Sequence, residues 1–350
     1  MDSSLLRDAI TAWSSTHLAL QNNNYENTAR EHRGIALSSL SKSLASQQRD
    51  PQMELASSLI HCAMESVTGD TNQWFKHLVG ASEIIRSAAA VDHETHQTDL
   101  SKFTSTVEGR WLLSNFAYHD VMMTISEDRK PLLLAGDYWN FSVSQSGVAD
   151  SYFGFASKVM SLISQISVLN VDMLNDDTTD TGKQGEQDDF ATTAKSLQQE
   201  LIDWKCPQSN NTMLVNLAES YRSAGLIHLY RILRRHRPKL TNATTLKIAE
   251  QVTVIVHRVQ DIAIGSLAES SLLLPLFLAG GDAKDVQHIQ IIRSRMQEII
   301  KTRHFRNFQP ALEVLEETWH MGGLGIRTGD GKPVDWKDVT KRKGWMLSIT

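Results

Sequence analysis

Cysteine is nearly absent from this chain. Cys62 and Cys206 are the only two among 350 residues. Two thiols cannot complete a four-ligand structural zinc site. They also exclude a disulfide-stapled scaffold and point to a reducing compartment. Cys62 lies in the apolar run LASSLIHCAMESV and reads as a buried, inert thiol. Cys206 precedes Pro207 at a helix end and reads as structural. Proline and glycine are also few, 7 and 19, which disfavours turn-rich β architecture and favours long helices. A basic surplus is missing: the formal net charge is −5. A domain that holds DNA unaided carries excess cations, because its affinity comes largely from phosphate neutralisation. No apolar run reaches the ~18 residues of a membrane span. The longest, 272–280, contains Pro275. The N-terminal residues carry Asp2 and no apolar core, so no signal peptide is predicted. What remains is the composition of a soluble globular protein, 41% hydrophobic and 21% charged.

Helical periodicity fills most of the sequence. Ser3 or Ser4 can cap a first helix with Leu6, Ala9, Ile10, Trp13 and Leu18 as its apolar positions. Asp50-Pro51 is a second start signal, a capping carboxylate followed by a proline whose missing N–H costs nothing at the first turn. Gly69 reads as the left-handed stop of that helix. Further helical patterns cover about 25–45, 74–85, 101–125, 152–169, 190–204, 214–235, 244–266, 271–278, 282–303 and 308–320. Strand-like alternation is not evident. Within 214–235, Leu226, Ile227, Leu229, Tyr230, Ile232 and Leu233 leave no polar face, so this helix must be surrounded by others. The expected fold is all-α: a large multi-layer helical domain of stacked antiparallel helices around a central apolar helix. It is read as one domain over 1–345 with a short tail at 346–350. The stretch 170–189 holds seven acidic residues and one lysine with little to bury, and is expected to be a solvated, disordered loop.

Several segments occur in an order that resembles a known family. They are LLRDAITAWSSTHLAL (5–20), EHRGIALSSLSKSL (31–44), WFKHLVGASEIIR (74–86) and NFAYHDVM (115–122). They continue with AESYRSAGLIHLYRIL (218–233), LLLPLFLAGGDA (272–283) and FQPALEVLEETW (308–319). Together they resemble the regulatory, non-DNA-binding domain of fungal zinc-cluster transcription factors, over nearly the whole chain. The resemblance implies transcriptional regulation in the nucleus, with the cytoplasm as the other location considered. It also implies partners in the transcription machinery or a small-molecule effector. Those factors read DNA through six cysteines that these residues lack, so sequence-specific DNA binding by this chain alone is not expected. No membrane association, cofactor or metal is expected, and a homodimer is left open. A rival reading is an enzyme or small-molecule-binding protein repurposed from the same scaffold, for example in secondary metabolism, shaping a substrate in an apolar helical pocket.

Candidate chemistry is sparse, and no catalytic residues are assigned. Asp176-Asp177-Thr178-Thr179-Asp180 spells the aspartate-rich pattern of terpene cyclases, but its polar neighbours offer no helix face to hold Mg²⁺, and a solvated loop is the better reading. His93 and His96 are one residue short of the His-Glu-x-x-His zinc spacing and read as loop residues. Trp111, Tyr118, His119, Tyr221, Arg222 and His228 are candidate ligand-binding residues: Tyr118 and His119 lie mid-helix beside the aromatic Trp111 and Phe116, and the other three lie on the central helix. The alternative is a buried polar network that includes Asp120. Arg234, Arg235, Arg237 and Lys239, in RILRRHRPKL, are candidates for nuclear import. The alternative is a helix C-terminus, where cations interact favourably with the helix dipole.

Overall fold

The Ser3 hydroxyl accepts the Leu6 amide and so starts α1 (Ser4–Gln21). The computed structural model describes residues 3–91, 98–133, 149–150, 152–176, 184–329 and 331–350. A short 3₁₀ turn leads into α2 (Glu26–Leu44). The Asp50 carboxylate takes the amides of Gln52 and Met53 at the head of α3 (Pro51–Val67), and Gly69 follows that helix with φ +82°. Then come α4 (Trp74–Ala88) and a two-residue antiparallel ladder, β1 (Ala90–Val91) with β2 (Thr98–Asp99), Ala90 facing Asp99. It is the only sheet among the described residues.

The expected helix over 101–125 is broken into α5 (Ser101–Thr104) and α6 (Val107–Glu127). Thr106 caps the second piece by accepting the Gly109 amide at 3.0 Å. The break is steric as well as hydrogen-bonded. The Phe103 carbonyl lies so close to Gly109 that a Cβ there would stand 2.0 Å from its oxygen. Helices α7 (Ser157–Asp176) and α8 (Gln184–Asp203) follow. The loop expected over 170–189 is therefore helical at both described ends. Asn170 is buried: its amide donates to Asp128 and its carbonyl meets His236 Nε2 at 3.0 Å, which explains why a polar residue begins that stretch. Residues 177–183, with most of the aspartate-rich pattern, and 92–97, with His93 and His96, lie outside the described residues.

The segment with no polar face is α9 (Thr212–His236). It packs against α7, α8, α10 (Thr241–Gln260) and α11 (Leu273–Asp282). Its residues Leu217, Ala218, Tyr221, Ala224, Ile227 and Leu229 are within 1% of complete burial. The all-α architecture around a central apolar helix is thus observed. That central place is shared: α6 is buried from Asn115 to Ser126, and α11 from Leu273 to Gly280. Gly280 and Gly281 make the close approach possible. A Cβ on Gly281 would stand 2.5 Å from the Trp336 ring, and one on Gly280 2.7 Å from Leu315.

Asp282 ends α11 rather than starting the next helix. The cap of α12 (Val286–Arg303) is Asp285, which accepts the Gln287 and His288 amides. Next comes α13 (Phe308–Gly323), and the basic stretch beyond it holds a further helix, α14 (Trp336–Lys343). Of the residues read as a tail, 346–350, Leu347, Ser348 and Ile349 are buried. Leu347 and Ile349 enter the core, Met346 N–H donates to Thr71 O, and Trp74 Nε1 donates to Met346 O at 3.0 Å. Two alternating apolar side chains in so short a stretch suffice to dock it. A small separate cluster, Ala12, Ala36 and Met64 with Trp13, joins α1 and α2 to α3.

Candidate functional site

Three places carry unusual chemistry. The first is a cluster of rings between α6, α9 and the turn before α7. The Asp150 carboxylate holds that turn by accepting Ser114 Oγ (2.6 Å) and the Tyr152 amide (2.7 Å), and Gly154 closes it with φ +58°. Tyr152 is thereby laid against Tyr118, ring centroids 5.3 Å apart and nearly parallel. His119 meets both tyrosines edge-on at 5.5 and 6.3 Å, and Trp111 lies 6.1 Å from Tyr152. The Tyr118 and Tyr221 hydroxyls are 3.4 Å apart, and Tyr221 donates to Ser271 O at 2.9 Å. Asn115 donates to the Tyr152 hydroxyl.

Four of the six candidate ligand residues therefore meet here: Trp111, Tyr118, His119 and Tyr221. Tyr118, His119 and Tyr221 are core residues, whereas Trp111 is 47% exposed at the edge. Both ring nitrogens of His119 are buried without a hydrogen-bond partner, and burial holds its pKa down at about 4. Burial likewise pushes the Tyr118 hydroxyl up to about 12. These groups are neutral at physiological pH. Asp120 belongs to the polar-network alternative, accepting Arg129 Nη2 at 2.7 Å and the Leu132 amide at 2.8 Å. Tyr152 was not singled out from the sequence, although the aromatic run Tyr152-Phe153-Gly154-Phe155 is visible there.

The other two candidates stand apart. Arg222 pairs with Glu219 on its own helix at 2.7 Å. His228 lies 3.0 Å from Ser167 Oγ, which accepts from Thr124 at 2.8 Å. Burial lowers the His228 pKa to about 3. The serine–histidine contact is sealed in the core, at 1% and 4% exposure, so a substrate has no access to it.

The second place is a charged node at the end of α9. Arg231 donates to Asp282 and, through Nη2, to both oxygens of Asp335 at 2.7 Å. Its guanidinium also lies over the Trp336 ring. Arg234 pairs with Asp282 (2.9 Å), and Arg235 with Asp128 (2.9 Å). Asp128, in the left-handed region at φ 49°, also receives Lys337. Burial alone would raise the Asp128 carboxyl; Lys337 and Arg235 overcome it and bring it to about 2. The helix ends at His236, Arg237 sits over the Phe190 ring, and Pro238 opens a 3₁₀ turn that leaves Lys239 exposed. Two of the four residues read as an import signal, Arg234 and Arg235, are thus bound to carboxylates of the same molecule.

The third is a groove of about 240 Å³ between α10 and the α11–α12 elbow. Its floor is Ile248, Val252 and Ala283, and Arg234, Lys284 and His288 are among its lining residues. Among the described residues, no group of three or more His, Cys, Asp or Glu side chains could hold a metal ion. In that same set, no helix is long and apolar enough to cross a membrane. Both cysteines are free, and burial raises both thiols, Cys206 to about 11.

Neither a curated protein nor a solved structure matches the chain. A family model does, the fungal specific transcription factor domain, and it spans residues 1–350. The matched length takes in every helix from α1 to α14 and each of the segments in which the resemblance was first visible. The chain belongs to the fungal specific transcription factor domain family.

Proposed function

We propose that this chain is a transcription-regulatory module. It acts through an effector or a protein partner in the nucleus and leaves sequence-specific DNA contact to another component. The observation that carries this reading is the family match over the full length of the domain. The charged node supports its second half. A DNA-reading surface keeps arginine and lysine free for phosphates and base edges. Here Arg231, Arg234 and Arg235, the centre of the densest basic cluster, already face Asp282, Asp335 and Asp128. Phosphate would have to displace carboxylates already paired with them, Asp282 almost buried and Asp335 and Asp128 half-buried.

Two measurements test the reading. Fused to an unrelated DNA-binding module in a fungal reporter strain, the chain is expected to raise or lower transcription from the tethered site. A Leu229→Asp fusion, with a carboxylate in the core, should not. Pure protein titrated against a pool of random duplexes at physiological salt should enrich no sequence. A reporter unmoved by the parent fusion removes the regulatory reading; enrichment of one duplex removes the delegation of DNA contact.

A further inference from the structure

The groove beside the charged node is lined by one face of α10, the α11–α12 elbow, Arg234 of α9 and His288 of α12. Thr245, Ile248, Ala249, Val252 and Thr253 recur at the helical spacing that puts them on a single stripe of α10. Ile248 and Val252 are almost wholly buried at its floor, while Ala249 is open to solvent. Opposite runs the elbow Asp282-Ala283-Lys284-Asp285, which exists because α11 stops at Asp282 and α12 is capped afresh by Asp285. Arg234 closes one end from α9.

The charges around this space are unequally committed. Asp282 is held by both Arg231 and Arg234. Asp285 spends its carboxylate on the Gln287 and His288 amides. Arg234 has one nitrogen on Asp282, and its side chain remains 26% exposed. Lys284 is exposed, His288 half-buried, and among the described residues neither side chain forms a hydrogen bond or ion pair. The acids are thus satisfied within the fold while cations remain to receive an acceptor. An apolar floor of about 240 Å³ lies beside them, somewhat below the ~300 Å³ at which drug-sized pockets begin.

We propose that this groove binds a small organic anion, a carboxylate on a short apolar body. The carboxylate meets Lys284, His288 and Arg234, and the body lies along the groove against Ala249 and its threonine neighbours, above the buried Ile248 and Val252. This gives the effector of the proposed regulatory function a chemical class and a place, and so rests on that reading. Direct binding to the pure protein tests it without recourse to transcription: a silent reporter with intact binding would fault the function and not the site.

The probe is 4-phenylbutyrate, about a dozen non-hydrogen atoms, titrated calorimetrically at pH 7 beside its uncharged analogue 4-phenylbutanol and inorganic phosphate. Saturable binding with a dissociation constant of roughly 0.1–1 mM is expected for the carboxylate. The alcohol and phosphate should each bind at least about ten-fold more weakly, since each lacks one half of the recognition. Lys284→Gln should weaken the carboxylate about five-fold or more. Ala249→Trp, a change at an exposed position that fills the groove, should abolish binding with the melting temperature unchanged. No saturable binding, equal binding of the alcohol or of phosphate, or binding indifferent to Lys284→Gln and Ala249→Trp would each overturn the proposal.

Discussion

Gly109 offers a sharp test of how the α5–α6 corner is built. It is the residue whose amide Thr106 caps, and it sits beneath the backbone of Phe103, itself fully buried. In Gly109→Ala the new Cβ would meet Phe103 O at 2.0 Å, its carbonyl carbon at 2.7 Å and its Cα at 2.9 Å. All three are backbone atoms of a one-turn helix, so no side chain can swing aside. Relief requires α5 to lift from α6, loosening the Thr106 cap and the seat of Phe103. Overpacking of this kind costs about 1–3 kcal/mol and sometimes more, and removing a helical glycine returns about 1 kcal/mol. With contact this severe the upper end applies, and a net loss of about 2 kcal/mol is expected. Gly34, within α2, is the internal control: nothing lies within 4 Å of its added Cβ. Gly34→Ala should therefore gain up to about 1 kcal/mol from helix propensity alone. Urea unfolding of both variants at one temperature measures the difference, about 3 kcal/mol between them. If Gly109→Ala is as stable as its parent, the close approach of α5 to α6 is wrong, and the geometry given for the ring cluster on α6 loses its support.

Three further expectations concern the core and its charges. Arg231→Met takes from half-exposed Asp335 its arginine partner and should cost about 1–3 kcal/mol; hydrogen exchange should then show residues 336–350 opening before the rest, and unchanged protection there would refute the node as the anchor of α14. For His119 and His228 the folded pKa values, about 4 and 3, lie below the unfolded ~6.5, so the unfolded chain takes up protons first. The stability that their neutral forms give is complete above pH ~6.5 and falls as pH drops toward 4, by up to roughly 1.4 kcal/mol per pH unit for each histidine. His119→Leu should flatten this fall, and identical pH–stability curves for parent and variant between pH 7 and 5 would exclude the effect. Leu229→Asp, at a wholly buried position of α9, should give insoluble or molten protein; a soluble variant with a cooperative melt would show that α9 is not central.

The division between sequence and tertiary structure is clear in particular residues. Capping chemistry is local, so Ser3, Asp50 and Gly69 announced helix ends that the fold keeps. A helix with no polar face can only be internal, so the central position of α9 was legible from Leu226 to Leu233. The order of family-like segments identified the domain. Side-chain partners across the chain were not legible, because they depend on contacts dozens to hundreds of residues apart. RILRRHRPKL looks like a free basic run until Asp282, Asp335 and Asp128 arrive from α11, α14 and the end of α6. Residues 346–350 look like a tail until the Thr71 carbonyl supplies an acceptor and the Trp74 indole a donor for the Met346 backbone. The six candidate ligand residues lie on two helices, but only the fold sorts them: four around Tyr152, and Arg222 and His228 elsewhere. The groove has no signature at all in the sequence, since its lining comes from three helices and an elbow. Periodicity states which face of a helix turns inward. Which charge meets which, and where a space is left between them, follows from how the helices are stacked.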